Sequence, residues 1–196
     1  MIHILGICGS PIKDSNTELM LGEALKAIQN DEVRTDLFSL YDKQVEDCRQ
    51  CNWCMMKQTE NNFCAIKDDM QQLYPLMEEA DAIVFGSPVY FHGVTAQAKA
   101  IIDRTFCYLP KHPLKGKVGA PVLALRRVGA GQTRVHVYGW LISQGMVPVK
   151  GAIGYGREKG DVRTGVGGGI DVTALDEARE TGRDVISMLK QLSSGG

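Results

Sequence analysis

The apolar positions of the chain alternate between short unbroken runs and helical spacing. Met1-Ile2-His3-Ile4-Leu5-Gly6-Ile7 predicts a buried strand, and Met20, Leu21, Ala24, Leu25 and Ile28 then recur at helical spacing from Thr17 to Asn30. Val33 to Tyr41, with Val33, Leu37, Phe38 and Leu40, predicts a second strand. Residues 43 to 64 lack periodicity and read as a functional loop with one helical turn. A helix is expected from Met70 to Ala80 on Leu73, Leu76 and Met77, broken or kinked at Pro75. Asp81-Ala82-Ile83-Val84-Phe85-Gly86 is the clearest strand, followed by a helix from Thr95 to Tyr108 that buries Ala98, Ile101, Ile102 and Phe106. Val118 to Leu125 predicts a fourth strand, Thr133 to Gln144 a helix, Met146 to Ile153 a fifth strand and Thr173 to Leu192 the last helix. Gly154 to Gly169, rich in glycine and charge, reads as a mobile loop, and Ser193 to Gly196 as a fraying end.

Strands that are continuous apolar runs, alternating with helices, predict a doubly wound α/β fold with a parallel sheet covered on both faces. The expectation is a single domain over 1–196 with a cysteine-rich loop at about 43–65. Ligands of such sheets bind beyond the carboxyl ends of the strands. The loops 8–17, 86–93 and 126–132 should therefore converge on one site.

Composition narrows the function without choosing it. An apolar content of 44%, a charged content of 23% and a net charge of −1 give a globular chain with no electrostatic footprint for nucleic acid or an anionic membrane. No charged leader with an apolar core is visible, and no apolar run approaches the roughly 20 residues of a membrane span. A soluble cytoplasmic protein is expected. Six cysteines in such a chain do not suggest a disulfide framework. Cys48, Cys51, Cys54 and Cys64 share one short segment, which points to a metal, a cluster or redox chemistry.

The first loop has the chemistry of an anion site. Ser10, Lys13, Ser15, Asn16 and Thr17 crowd together just where a helix begins, and a helix N-terminus offers unpaired N–H groups and a favourable dipole. An ordinary turn capped by Ser15 or Asn16 would explain those two residues but not the rest. Gly6-Ile7-Cys8-Gly9 lacks the full dinucleotide fingerprint, although Asp42 stands where a ribose-binding acid would. The ATP or GTP phosphate-loop motif is also missing. A long loop of Ser, Lys, Asn and Thr suits a terminal phosphate better than a pyrophosphate, which points to FMN.

The run Gly9-Ser10-Pro11 through Ser15-Asn16-Thr17 resembles the phosphate loop of the NADPH-dependent FMN reductase family. Gly86-Ser87-Pro88-Val89-Tyr90-Phe91, followed by Lys99 and Ile102-Asp103-Arg104, resembles that family's second flavin loop and next helix. Cys64-Ala65-Ile66-Lys67-Asp68-Asp69-Met70, Gly145-Met146 and Lys159-Gly160-Asp161-Val162 continue the match. The resemblance implies a flavodoxin-like fold, a five-stranded sheet of order 2-1-3-4-5, FMN across the three loops, and a homodimer or homotetramer. It places Ser10, Lys13, Ser15, Asn16 and Thr17 near the phosphate, and Ser87, Pro88, Val89, Tyr90, Phe91 and His92 along the ring and ribityl chain. Arg127, Gly129, Gly131 and Gln132 belong to the third loop, which would close over the ring. Tyr90 and Phe91 are alternatively loop aromatics folded on the core, and His92 either donates to the flavin or sits at its rim.

Cys48-x2-Cys51-x2-Cys54 with Cys64 resembles the iron–sulfur flavoprotein branch, and implies a [4Fe–4S] cluster on these four cysteines. Nine residues separate Cys54 from Cys64, more than that branch's usual spacing, and no proline follows Cys64. A four-cysteine zinc site and free or redox-active thiols remain as alternatives. Cys8 and Cys107 read as packing residues. No side chain stands out as a catalytic acid or base, so the chemistry would be the flavin's own. Three functions follow: an NAD(P)H-dependent oxidoreductase acting on flavins, quinones or other small acceptors; an FMN and [4Fe–4S] electron-transfer protein fed by a ferredoxin-type partner; or a redox sensor on the same scaffold. Arg126, Arg127 and Arg157 are the candidates for an NADP phosphate.

Overall fold

The computed structural model describes residues 1–59, 62–162 and 172–194. Its elements run β1 (Ile2–Cys8), α1 (Asn16–Lys26), β2 (Val33–Ser39), α2 (Trp53–Lys57), α3 (Met70–Glu79), β3 (Ala82–Pro88) and α4 (Ala96–Arg104). A 3-10 turn (Thr105–Tyr108), β4 (Val118–Leu125), α5 (Ala130–Ser143), β5 (Val147–Pro148), β6 (Ala152–Tyr155) and α6 (Val172–Ser194) complete the order. The sheet is parallel throughout, in the order β2-β1-β3-β4-β5, with β6 also paired to β4. This is the flavodoxin-like winding, whose strand order reverses between β1 and β3.

Alternate residues of the central strands feed opposite cores, as the period of two requires. Ile4 and Cys8 pack under α1 and α6 with Met20, Leu21, Ala24, Ala174 and Val185. Leu5, Ile7 and Phe85 pack on the other face with Met70, Leu73, Ile101, Val137 and Trp140 from α3, α4 and α5. Cys8 and Cys107 are buried in these two cores, in keeping with packing roles.

The expected fifth strand, Met146 to Ile153, is divided into β5 and β6. Odd-numbered residues of β4 turn their amide groups toward that strand, since Val147 N donates to Lys117 O and Val149 N to Gly119 O. Pro121 falls in the same series and has no N–H to give. The interruption lies opposite it: Gly119 pairs with Pro148, and pairing resumes at Val122 with Ala152. Gly151 bridges the gap at φ +72, where a Cβ would drive into the Pro121 carbonyl.

Two other boundaries differ from expectation. Helix α3 passes through Pro75 uninterrupted, because the proline forfeits only one bond, to the Gln71 carbonyl in the first turn. Helix α5 begins at Ala130, not Thr133, because Gly129 at φ +105 turns the chain and Thr133 N donates to the Gly129 carbonyl at 3.1 Å. Gly131 and Gln132 are thus helical rather than loop residues. Ser193 and Ser194 are still in α6. The Gly165–Gly169 run lies outside the described residues. Among the described residues no helix is long and apolar enough to cross a membrane.

Candidate functional site

At the carboxyl edge of the sheet each loop leans on its neighbour's strand. Gly9 N donates to Gly86 O at 2.7 Å, Val89 N to Ala124 O at 2.9 Å and Gly156 N to Leu125 O at 2.9 Å. Thr95 Oγ1, the N-cap of α4, also donates to Gly9 O at 2.6 Å. These bonds enclose a cleft of about 330 Å³ walled by Ser10, Ile12, Ser15, Asn16 and Thr17, by Pro88, Val89 and Tyr90, by Ala124 to Arg126, and by Gly156 to Lys159.

One end of the cleft is built for an anion. Ser15 caps α1 by accepting from Glu18 N at 3.2 Å. The N–H groups of Asn16 and Thr17, the first two helical residues, have no intrahelical acceptor. The Thr17 hydroxyl is buried and has no hydrogen-bond partner. A buried, unpaired hydroxyl is costly unless a ligand accepts it, and a phosphate at the helix start would do so. Asn16 is differently engaged: its Nδ2 donates to Glu158 O at 3.0 Å and its Oδ1 accepts from Gly160 N at 2.8 Å. Asn16 therefore fastens the 156–160 segment over the cleft. Arg157, Lys159 and Arg126 bring positive charge to the cleft wall, and Lys159 also pairs with Asp14 at 3.6 Å.

The opposite wall carries the second loop. Tyr90 and Gly93 exchange backbone bonds at 2.9 and 3.0 Å, which closes a two-residue turn with Phe91 at φ +49 and His92 at φ +65. Two successive non-glycine residues in the left-handed region are strained, and such strain gathers at functional sites. Phe91 projects fully into solvent. His92 lies against Gly129, where a Cβ would come within 3.0 Å of the His92 Cα.

Of the residues expected at the cofactor, Ser10, Ser15, Asn16, Thr17, Pro88, Val89 and Tyr90 line the cleft, while Lys13, Ser87, Phe91, His92, Arg127, Gly129, Gly131 and Gln132 stand outside its wall. Ser87 is fully buried, donating to Pro88 O at 2.8 Å and accepting from Thr95 N at 3.1 Å, so it sets the loop's course from behind. Lys13 sits over the Tyr41 ring at 5.8 Å. Of the 156–159 segment of the wall, sequence reasoning named Arg157 only for an NADP phosphate and did not place the segment at the flavin cleft. Its position directly after the last strand, at the carboxyl edge, was the available signal.

The four cysteines of the 43–65 loop converge. Cys48, Cys51, Cys54 and Cys64 all line one small cavity of about 20 Å³, together with Arg104 and Cys107. The loop is anchored at both ends. Gln44 N donates to Asp69 Oδ2 at 2.8 Å and Glu46 N to Asp68 Oδ2 at 2.8 Å, while Gln71 Nε2 holds the carbonyls of Cys64 and Ile66 at 3.1 and 2.6 Å. Gln50 and Asn52, on either side of Cys51, both have positive φ. The long gap after Cys54 folds back on itself: α2 occupies its start, and Thr59 and Asn62 exchange backbone bonds at 3.2 Å. Phe63 then stacks on Tyr74 with ring centroids 4.9 Å apart, which fixes Cys64 beside the core.

Burial pushes the Cys54 thiol above its ordinary range, and the nearby Cys64, Cys48 and Cys51 push it further. Burial likewise raises the Cys107 thiol to about 12. Among the described residues no three such side chains stand close enough to share a single metal ion. Zinc would require every sulfur about 2.3 Å from one point. A [4Fe–4S] group takes one thiolate at each iron, and the four thiols that line this cavity are the residues that would hold it.

Residues 2–158 match the NADPH-dependent FMN reductase family. An iron–sulfur flavoprotein of Methanocaldococcus jannaschii is 34% identical, over 96% of this chain and 98% of the relative. An iron–sulfur flavoprotein of Archaeoglobus fulgidus is 37% identical over 81% of this chain and 70% of its own length. Among solved structures, RosB with bound 8-demethyl-8-formylriboflavin-5'-phosphate superposes with a TM-score of 0.75 at 17% identity, over 99% of this chain and 81% of RosB. At that identity the likeness speaks for the fold alone.

Proposed function

The chain belongs to the NADPH-dependent FMN reductase family, and from that premise we propose that this redox flavoprotein carries electrons between FMN and a [4Fe–4S] cluster on Cys48, Cys51, Cys54 and Cys64. The observation that carries the reading is the convergence of those four thiols on one cavity, in a chain whose relatives include iron–sulfur flavoproteins. FMN exchanges electrons in pairs or singly and an iron–sulfur cluster takes them singly, which together supply the coupling of two-electron to one-electron chemistry.

The chain's own part is to bind and orient. Thr17 Oγ1 and the first N–H groups of α1 would donate to the phosphate, and Ser10 stands beside them in the same wall. Ser15 is committed to its cap and holds the helix start in place. Asn16 ties the 156–160 segment to the start of α1 at the cleft. Pro88, Val89 and Tyr90 would hold the ring, positioned by the buried Ser87 and by the bond from Val89 N to Ala124 O. The Phe91–His92 turn forms the exposed rim where a donor or acceptor would arrive.

A second reading, direct reduction by NAD(P)H with a flavin, quinone or other small acceptor, is favoured by Arg126, Arg157 and Lys159 at the cleft. These cations suit an anionic dinucleotide. One experiment separates the two. Anaerobically purified protein should show flavin bands with a broad iron–sulfur absorbance, and iron and sulfide in equal amounts. Mixing with NADPH under argon should then leave the flavin oxidised if a ferredoxin-type protein is the donor, and bleach it if the nucleotide is. Flavin bands without iron would overturn the cluster. A colourless protein that takes up no added FMN would overturn the reading as a whole.

A further inference from the structure

The cysteine cavity has a wall residue whose chemistry the cysteines themselves do not explain. Arg104, the last residue of α4, is 2% exposed and lines the same cavity as Cys48, Cys51, Cys54 and Cys64. Its guanidinium makes a two-pronged contact with the equally buried Asp68, Nη1 to Oδ2 at 2.7 Å and Nη2 to Oδ1 at 3.1 Å. Nη1 also donates to the carbonyl of Glu46 at 3.0 Å, and Asp68 Oδ2 accepts from the N–H of the same Glu46 at 2.8 Å. The ion pair thus grips both backbone groups of the residue two positions before Cys48.

One nitrogen of the fork is left without a partner. Arg104 Nε is buried and has no partner. A guanidinium N–H buried without an acceptor carries the full cost of its desolvation. Asp68 and Glu46 engage both Nη groups, and the remaining neighbours lining the cavity include Cys54, Cys64 and Cys107. Four thiolates gathered in one place form a strongly anionic site, and a buried cation facing them supplies both a counter-charge and a hydrogen bond.

We propose that Arg104 is a positioning residue of the cysteine site, which fixes the Cys48 end of the loop through Asp68 and Glu46 and turns its free Nε–H to a sulfur of the bound [4Fe–4S] group. This inference rests on the cluster reading above. Hydrogen bonds to the sulfurs and nearby charge are among the levers that set the potential of such a site. Donation from Nε stabilises the reduced, more negative form, so Arg104 raises the potential.

The test uses the anaerobically purified holoprotein and an EPR-monitored redox titration. Arg104→Lys keeps the charge and the partner Asp68 but removes Nε–H. The paired substitution Asp68→Asn with Arg104→Gln removes Nε–H without leaving a lone buried charge, and serves where the lysine variant fails to fold. In either variant the one-electron equilibrium of the cluster should shift tenfold or more toward the oxidised form, about 59 mV, while the FMN potential stays where it is. Wild-type protein without iron would overturn the cluster reading and this inference with it. Variants that hold wild-type iron, sulfide and FMN with an unchanged cluster potential would overturn the role of Arg104 alone.

Discussion

Thr17→Val should move stability and FMN affinity in opposite directions. The Thr17 side chain is buried, its methyl already lies close to the position a Gly86 Cβ would take, and its hydroxyl has no partner. Valine replaces that hydroxyl by a methyl of nearly the same shape. Without FMN, the substitution removes an unsatisfied buried group that costs about 1–3 kcal/mol, so the FMN-free protein should be stabilised. For a chain of this length each kcal/mol is worth about 2–4 °C in Tm. With FMN, the same substitution deletes a hydrogen bond to a charged phosphate, worth roughly 1.5–3 kcal/mol. Affinity should therefore weaken roughly tenfold to a hundredfold. Differential scanning of the FMN-free protein and fluorescence titration with FMN read the two signs separately. A variant with lower Tm and unchanged affinity would refute the reasoning, because Thr17 would then be a core residue with a satisfied hydroxyl.

Two other expectations are equally specific. Phe91→Asn with His92→Gly supplies residues that tolerate positive φ in a two-residue turn, so the FMN-free protein should gain about 1 kcal/mol, while exchange with external donors or acceptors slows because the aromatic rim is lost; stopped-flow reduction and a melting curve check the pair. In metal-free protein the raised Cys54 thiol holds less thiolate at any pH below its midpoint, so alkylation of Cys54 at pH 8 should lag behind that of a free cysteine and catch up only at higher pH. Peptide mapping after timed labelling measures it, and labelling at the free-thiol rate would show that the four sulfurs do not crowd one another.

The parts of this protein legible from sequence were those written locally. The unbroken run Ala82–Phe85 is a central strand as its pattern predicts, and the polar residues after β1 stand at the start of α1, as expected from their order. The cysteine spacing was legible as far as the cavity that all four cysteines line. What escaped were features that depend on pairing across the chain. The division of the fifth strand depends on Pro121 falling in the series of β4 amides that faces it, which no property of residues 146–153 discloses. Asn16 reads as a phosphate donor until Gly160, 144 residues away, claims its carbonyl. Nothing near Asp68 in the sequence announces Arg104, which closes on it from 36 residues later. Gly129 shifted the start of α5 by a backbone angle that its neighbours do not encode.

The divided strand matters in one more respect. Sheets are vulnerable at their borders, where open amide groups can recruit a foreign strand. Here the border beyond β4 consists of a two-residue segment ending in Pro148, a left-handed glycine and a four-residue segment covered on its face by α6. The opposite border, β2, carries Arg34 and Asp36 in an ion pair at 2.6 Å. Neither offers a long, flat, apolar template, so copies of this chain should not join sheet to sheet. Any assembly they form would then be made by helices and loops, the surfaces among which the two candidate sites lie.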